Sequence, residues 1–206
     1  MSPMADSPAD THPPMGLRER KKLKTRVAIR RAAHLLIAER GYEATTVEQI
    51  AEAAEVSPST VFRYFPTKED IVLTDESDLF TESVLRSRPP GEEPLESLRF
   101  LMTRAVAALL EHEPEVMRQR ARLLVEVPAV RARMTETMAE TSQLLSRVLA
   151  DRTGRAADDL EIRVLTAAVM GALREATLYW AERDQKDDLV ALVHRALDTL
   201  KGGPCP

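Results

Sequence analysis

Residues 46–68 read Thr46-Val47-Glu48-Gln49-Ile50-Ala51-Glu52-Ala53-Ala54-Glu55-Val56-Ser57-Pro58-Ser59-Thr60-Val61-Phe62-Arg63-Tyr64-Phe65-Pro66-Thr67-Lys68. The order of starts and stops within this stretch decides the fold. Thr46 is a helix N-cap, and Gln49 three residues on completes a capping box. Val47, Ile50, Ala51 and Ala54 then form an apolar stripe at helical spacing. After a turn at Glu55, Ser57 caps a second helix and Pro58 takes its first position, where a missing N–H costs nothing. Val56 is placed to staple onto Val61. Pro66 disfavours helical geometry in Phe65 and ends this helix, and Thr67 caps another that begins at Lys68. Two short, well-capped helices separated by a turn of about three residues form a helix-turn-helix.

Upstream, Ile29, Ala32, Ala33 and Leu36 follow the i, i+3, i+4, i+7 pattern of one helix face, which predicts a helix over residues 25–40 stopped by Gly41. Downstream, the Pro89-Pro90-Gly91 break and Pro94 close the helix that starts at Lys68. Further helices are predicted at about 95–112, 115–126, 129–150, 158–181 and 186–201, with a loop holding Gly154 between the third and fourth of these. Few glycines and aromatics, with abundant Ala, Leu, Glu and Arg, favour helix throughout, and no internal repeat is present. The expectation is an all-α chain of about nine helices in two lobes that share helix four. Residues 1–16, rich in Pro, Ser, Asp and Ala, are expected to be a disordered tail. Residues 17–70 form the helix-turn-helix domain with a basic arm, 71–201 a second helical domain, and 202–206 a flexible tail.

The chain has 206 residues, enough for one larger domain with a small companion. Its lone Cys205 supplies neither a disulfide framework nor a metal-binding thiol set. No apolar run approaches the roughly 20 residues of a bilayer span, and nothing near the start resembles a signal sequence. A cytoplasmic protein without a membrane partner is expected. The net charge of -4 would argue against nucleic acid but for a local asymmetry. Arg18, Arg20, Lys21, Lys22, Lys24, Arg26, Arg30 and Arg31 stand against the single acid Glu19 within residues 17–31. Such a cluster is an electrostatic footprint for phosphate, although alone it would equally suit a solvated helix start.

A helix in the major groove needs small or polar residues near its N-terminus and an apolar face behind. Val61 and Phe65 supply the apolar face, whereas Ser59, Phe62 and Arg63 share the face that meets bases. Arg63 suits bidentate bonding to guanine, with a phosphate contact or exposed salt bridge as its alternative. Phe62 suits a thymine methyl, or simple packing. The Thr60 and Tyr64 hydroxyls fit phosphate oxygens. The N-termini of helix two at Thr46 and helix four at Lys68 offer N–H groups to the strand, and the arm from Arg18 to Lys24 would lie against phosphates or enter the minor groove.

The stretch from Glu39 to Asp70, with its Tyr64-Phe65-Pro66-Thr67-Lys68-Glu69 ending, closely resembles the DNA-binding domain of the tetracycline-repressor (TetR) family. The resemblance covers about residues 25–73 and implicates Thr46, Ser57, Ser59, Thr60, Phe62, Tyr64 and Lys68 in DNA contacts, with Pro58 between them. Glu55 departs from it, because the family usually has glycine there. If the turn needs positive φ, Glu55 bears a strain of order 1 kcal/mol.

The resemblance further implies a ligand-binding C-terminal lobe whose last two helices build a four-helix bundle in a homodimer. Ala168, Gly171, Ala172 and Leu173 would allow close helix approach, and Leu189, Leu192, Val193, Ala196 and Leu200 give the final helix an apolar face. The same stripe would serve an intrachain core. The middle of the chain is similar to family members of the mycofactocin-regulator kind, some of which respond to acyl-CoA-like molecules. Phe100, Arg104, Met117, Arg120, Met138 and Trp180 are the candidate effector residues, or else core filler and surface salt bridges.

No phosphate loop, nucleophile elbow or His-Glu-x-x-His motif is present, and His12, His34, His112 and His194 are scattered. No catalytic residue, metal site or cofactor is therefore expected. The expected function is a repressor that binds a palindromic operator in double-stranded DNA as a dimer and leaves it on binding a small molecule. An activator or a ligand-free architectural binder fits the same motif. A helical interaction module with a basic arm would bind DNA without sequence preference.

Overall fold

A computed structural model describes residues 16–74, 81–156 and 158–203. Ten helices lie among the described residues: α1 Leu17–Arg40, α2 Val47–Ala53, α3 Pro58–Tyr64, α4 Lys68–Leu73, α5 Thr81–Arg86, α6 Pro94–His112, α7 Pro114–Glu126, α8 Pro128–Thr153, α9 Leu160–Glu182 and α10 Leu189–Gly202. The all-α expectation holds. Helix four is described as two helices, α4 and α5, and residues 75–80 between them lie outside the described residues. Of the two expected tails, residues 1–15 and 204–206 also lie outside. Gly16 caps α1, and Gly202 still belongs to α10.

Several boundaries move for identifiable reasons. The first helix starts at Leu17 and not near residue 25, so the basic arm is helical. Lys and Arg are good helix formers, and the Gly16 N–H donates to the Glu19 carboxylate at 3.2 Å, which steadies the first turn. Pro94, Pro114 and Pro128 each stand at the first turn of a helix, where fixed φ is pre-organised, so Pro94, expected to close the preceding segment, opens α6. Gly154 ends α8 at φ 67°, a left-handed cap.

Among the described residues three apolar clusters hold the helices together. Ile29, Ala33, Ile50, Val61, Phe65 and Ile71 form the core of α1–α4. A larger core runs through α5–α10 and includes Leu98, Met117, Leu149, Val169, Trp180 and Leu197. The third, made of Ile37, Tyr42, Val72, Leu123, Leu124, Val127, Val130 and Met134, packs α1 and α4 directly onto α7 and α8. Helix four is thus not the lobes' only connection.

Candidate nucleic-acid interface

The recognition helix α3 is held from behind by Val61 and Phe65, 0% and 1% exposed. Its outer face carries Ser59, Phe62 and Arg63, all exposed, with Phe62 at 49%. Ser57 Oγ accepts the Thr60 N–H at 3.2 Å and lies 2.9 Å from both Ser59 Oγ and Thr60 Oγ1, so Ser57, Ser59 and Thr60 share one hydroxyl cluster beside Pro58 at the helix start. Arg63 reaches Thr60 Oγ1 only at 3.5 Å and lies 5.4 Å from the centroid of the half-buried Tyr64 ring. Contacts that long leave the guanidinium free to turn outward. On α2 the Thr46 N–H donates to Gln49 Oε1 at 3.0 Å and the Gln49 N–H to Thr46 Oγ1 at 3.3 Å, the capping box expected from the residue types.

The turn between α2 and α3 settles the question at Glu55, whose φ is 54°. A side chain at this left-handed position is disfavoured by about 1 kcal/mol relative to glycine.

The basic run divides in two. Arg18, Arg20, Lys21, Lys22 and Lys24 are exposed on the first turns of α1. Arg26 stacks 5.1 Å from the Phe65 ring centroid, and Arg30, only 3% exposed, pairs with Glu113 at 2.8 Å. Arg30 is therefore part of the joint between α1 and α7 and not of the electrostatic footprint. Lys68 also has a structural role. Its ammonium donates to Tyr42 O at 2.9 Å and Thr45 O at 3.1 Å and sits 3.9 Å from the Tyr42 ring centroid, fastening the loop between α1 and α2.

Four further contacts escape sequence reading because their partners are remote. Tyr42 donates its hydroxyl to Glu69 Oε1 at 2.6 Å. Burial and this bond raise the Tyr42 phenol, and although burial works against it the same bond holds the Glu69 carboxyl below its usual range. Asp70 accepts the Thr67 N–H at 3.0 Å and Arg133 Nε at 2.6 Å, so one carboxylate caps α4 and ties it to α8. The buried Arg120 donates to Val72 O at 3.2 Å and Thr74 O at 3.5 Å, clasping the C-terminal end of α4. His34 Nδ1 lies 2.5 Å from Gln119 Oε1, while Gln119 Nε2 donates to His34 O at 3.0 Å. Burial pushes the His34 imidazole down to about 4, against the Gln119 bond.

The candidate effector residues are not brought together. Trp180 is 4% exposed in the main core and donates its indole N–H to Asp187 O at 2.9 Å, and Met117 is buried in the same core. Arg120 serves α4, as described. Phe100 lies under the Arg88 guanidinium at 3.8 Å, Arg104 is exposed, and Met138 packs between two cores. None of the six lines the cleft of about 520 Å³ between α1 and α7 or the one of about 660 Å³ between α8 and α9. On α10, Leu189, Leu192, Val193 and Leu197 face this chain's own core, which leaves Leu200 exposed. On α9, Leu160, Val164 and Tyr179 are exposed along a line that also holds Ala168, Gly171 and Ala172, and a Cβ added at Gly171 would meet nothing within 4 Å. Among the described residues no helix is long and apolar enough to cross a membrane.

A capped helix-turn-helix with an open polar face, set on a larger helical lobe, defines a helix-turn-helix transcriptional regulator. Comparison with known proteins specifies it further. Residues 29–74 match the family described as bacterial regulatory proteins, tetR family, and residues 92–204 match the MftR C-terminal domain of TetR-type regulators. The chain is 35% identical over 95% of its length to the HTH-type transcriptional regulator TcmR of Streptomyces glaucescens, covering 92% of that protein. It is 28% identical to the fatty acid metabolism regulator protein of Bacillus subtilis, over 84% of this chain and 91% of that one. Among solved structures, Thermus thermophilus FadR, a TetR-family transcriptional repressor in complex with lauroyl-CoA, superposes with a TM-score of 0.58 at 30% identity, covering 88% of this chain and 95% of that one. The chain belongs to the TetR family of ligand-responsive, DNA-binding transcriptional regulators.

Proposed function

We propose that this regulator is a cytoplasmic, non-catalytic repressor that binds a palindromic operator as a homodimer and is released by a small-molecule effector. Residues 17–70 read DNA and residues 71–201 carry effector binding and dimerisation, a division supported by the separate cores of α1–α4 and α5–α10. The observation that carries the reading is the outer face of α3. A half-exposed Phe62 beside a loosely held Arg63 and a cluster of hydroxyls is uneconomical as plain surface, but it complements base edges flanked by phosphates. Arg63 reads guanine and Phe62 touches a thymine methyl on the base-facing side that they share with Ser59, and Thr46, Ser57, Thr60, Tyr64 and Lys68 hold phosphates. Arg18, Arg20, Lys21, Lys22 and Lys24 add the salt-dependent term.

One small helix-turn-helix confers little specificity, so two copies related by a two-fold axis read two half-sites. The apolar line on α9, with room at Gly171, supports α9 together with the exposed end of α10 as the dimer face. An acyl-CoA-like effector is supported by the lauroyl-CoA complex of the Thermus thermophilus relative. Release requires that the effector bind the non-operator state more tightly than the operator-bound one.

Selection of bound sequences from a random duplex pool tests this reading. An inverted repeat should be enriched, with preference relaxed at one position per half-site in Arg63→Ala. Enrichment of no sequence at moderate salt would leave a DNA-indifferent interaction module. Lauroyl-CoA titrated into the operator complex should release the protein, and retention at saturation would exclude this effector class.

A further inference from the structure

The recognition helix α3 shares its core with α1 and α4, and the same two helices pack onto α7 and α8 in the third apolar cluster. Apolar contact is non-directional and leaves such a joint free to rock, so its angle is set by the directional bonds that cross it. We propose that Gln119 and Arg120, neighbours on α7, are positioning residues that fix this angle and thereby select the spacing between the two halves of the operator.

Gln119 grips α1 at two points of one residue. Its Nε2 donates to His34 O at 3.0 Å, which turns Oε1 toward His34 Nδ1 at 2.5 Å, so that ring nitrogen carries the proton and donates it. Arg120 grips the end of α4, with Nε donating to Val72 O at 3.2 Å and Nη2 lying 3.5 Å from Thr74 O. The two residues are 7% and 8% exposed, so water competes little for these acceptors.

The carbonyl acceptors set this pair apart from other ties across the joint. Arg30 with Glu113 at 2.8 Å and Arg133 with Asp70 at 2.6 Å join side chain to side chain, and torsions at both ends can absorb a rocking of the helices. A bond to His34 O or Val72 O has no such slack on the acceptor side, because a main-chain carbonyl moves with its helix. On its other side α7 is fastened toward the proposed dimer face. Arg118 O accepts Gln185 Nε2 at 3.1 Å from the turn between α9 and α10, where Gln185 is held at φ 59°. Residues 118–120 thus connect that turn, α1 and α4 within one turn of helix.

The consequence rests on the reading of this chain as a dimeric regulator. One base pair inserted between two half-sites moves the second by about 3.4 Å and turns it by about 35°. A dimer whose recognition helices stand at one angle docks on one spacing, whereas a dimer whose joints rock also populates the angles that neighbouring spacings require.

The test uses the inverted repeat enriched from the random duplex pool, with versions one base pair longer and one shorter at its centre. By fluorescence anisotropy the parent should bind the enriched spacing about tenfold more tightly than either alternative. Gln119→Met, which keeps the length of the side chain without its amide, should reduce that ratio to about threefold or less. Arg120→Met should act alike, and Arg120→Lys, which keeps the charge but cannot span two carbonyls, should fall between. Arg120→Lys, the mildest change, decides if a methionine variant unfolds. A second measurement needs no DNA. With spin labels at Glu52→Cys, an exposed position on α2, in a Cys205→Ser background, the label-to-label distance in the dimer should be narrowly distributed in the parent and broad in Gln119→Met. An undiminished spacing preference in folded, dimeric variants, a label distribution no broader than the parent's, or a parent indifferent to spacing overturns the proposal. Absence of an inverted repeat, or a monomeric parent in sedimentation, would refute the regulator reading itself and the proposal with it.

Discussion

Arg133 on α8 places Nε 2.6 Å from Asp70 Oδ1 on α4, and the same carboxylate caps α4 through the Thr67 N–H. The Asp70 side chain is 9% exposed and that of Arg133 24%. Removing the arginine leaves a nearly buried charge facing the N–H and hydroxyl of Thr67. Loss of one partner from a fully buried pair costs about 3–5 kcal/mol, and the partial exposure of Arg133 brings the expectation for Arg133→Ala to about 2 kcal/mol. Urea denaturation measures it. A loss below about 0.5 kcal/mol would mean that the pair is a surface decoration and not a tie between the lobes.

Glu55 at φ 54° is a local weakness. Glu55→Gly should raise stability by about 1 kcal/mol, or roughly 2–4 °C in Tm for a chain of this size, whereas Glu55→Ala, which keeps the Cβ, should bring no comparable gain. Calorimetric melting of the three proteins decides between strain and a turn that tolerates the side chain.

The exposed lysines at the start of α1 make a prediction about salt. If Lys21, Lys22 and Lys24 each meet a phosphate, replacing all three with alanine should reduce the slope of log affinity against log salt by up to about 2.7, at ~0.9 per contact, with no change in the preferred sequence. Fluorescence anisotropy at several salt concentrations reads this directly. An unchanged slope would place the arm away from the DNA.

Gly171 separates a dimer face from an intrachain core. A Cβ there meets nothing within 4 Å in its own chain, so Gly171→Arg should keep the helical circular-dichroism signal while sedimentation velocity shows a monomer. Operator affinity should fall at least tenfold, because one half-site is lost. A persistent dimer would move the interface off this part of α9.

His34 contributes a pH dependence with a definite sign. Its imidazole sits at about 4 in the folded protein, chiefly through burial, against 6.5 when exposed. The unfolded chain therefore takes up the proton first as pH falls. The stability due to a neutral His34 is complete above pH 6.5, declines between 6.5 and 4, and is gone below that. The full effect is on the order of 3 kcal/mol. Chemical denaturation across this window should show the decline in the parent protein and lose it in His34→Gln. Glu92, held down to about 2 by its bonds from Arg88 and Ser97, contributes only in the more acidic range from 4.5 downward.

Much of the fold was legible because its determinants are local. Thr46 with Gln49, Ser57 with Pro58, and Pro66 with Thr67 act over three or four residues, and their side chains cap the same helices in the structure that their types and spacing predict. The apolar faces of α1 and α3 could likewise be read from periodicity alone, since a helix brings residues three and four apart to one side whatever surrounds it. Glu55 stood out only against the resemblance, at a position where the TetR family usually has glycine.

Tertiary structure decided where remote groups meet. Arg30 and Lys24 look alike in a basic run, yet one pairs with Glu113 and the other remains in solvent, because Glu113 comes from a helix end 83 residues away. Lys68 also fastens the loop at Tyr42, a role that its place at the start of α4 does not announce. Trp180 and Met117 had the composition of a pocket and are core, while His34 and Gln119, 85 residues apart, passed unnoticed and frame a cleft. Periodicity reports which side of a helix is apolar. Whether that side meets a neighbouring helix, a cavity or a second chain depends on packing between distant segments, which no local pattern encodes.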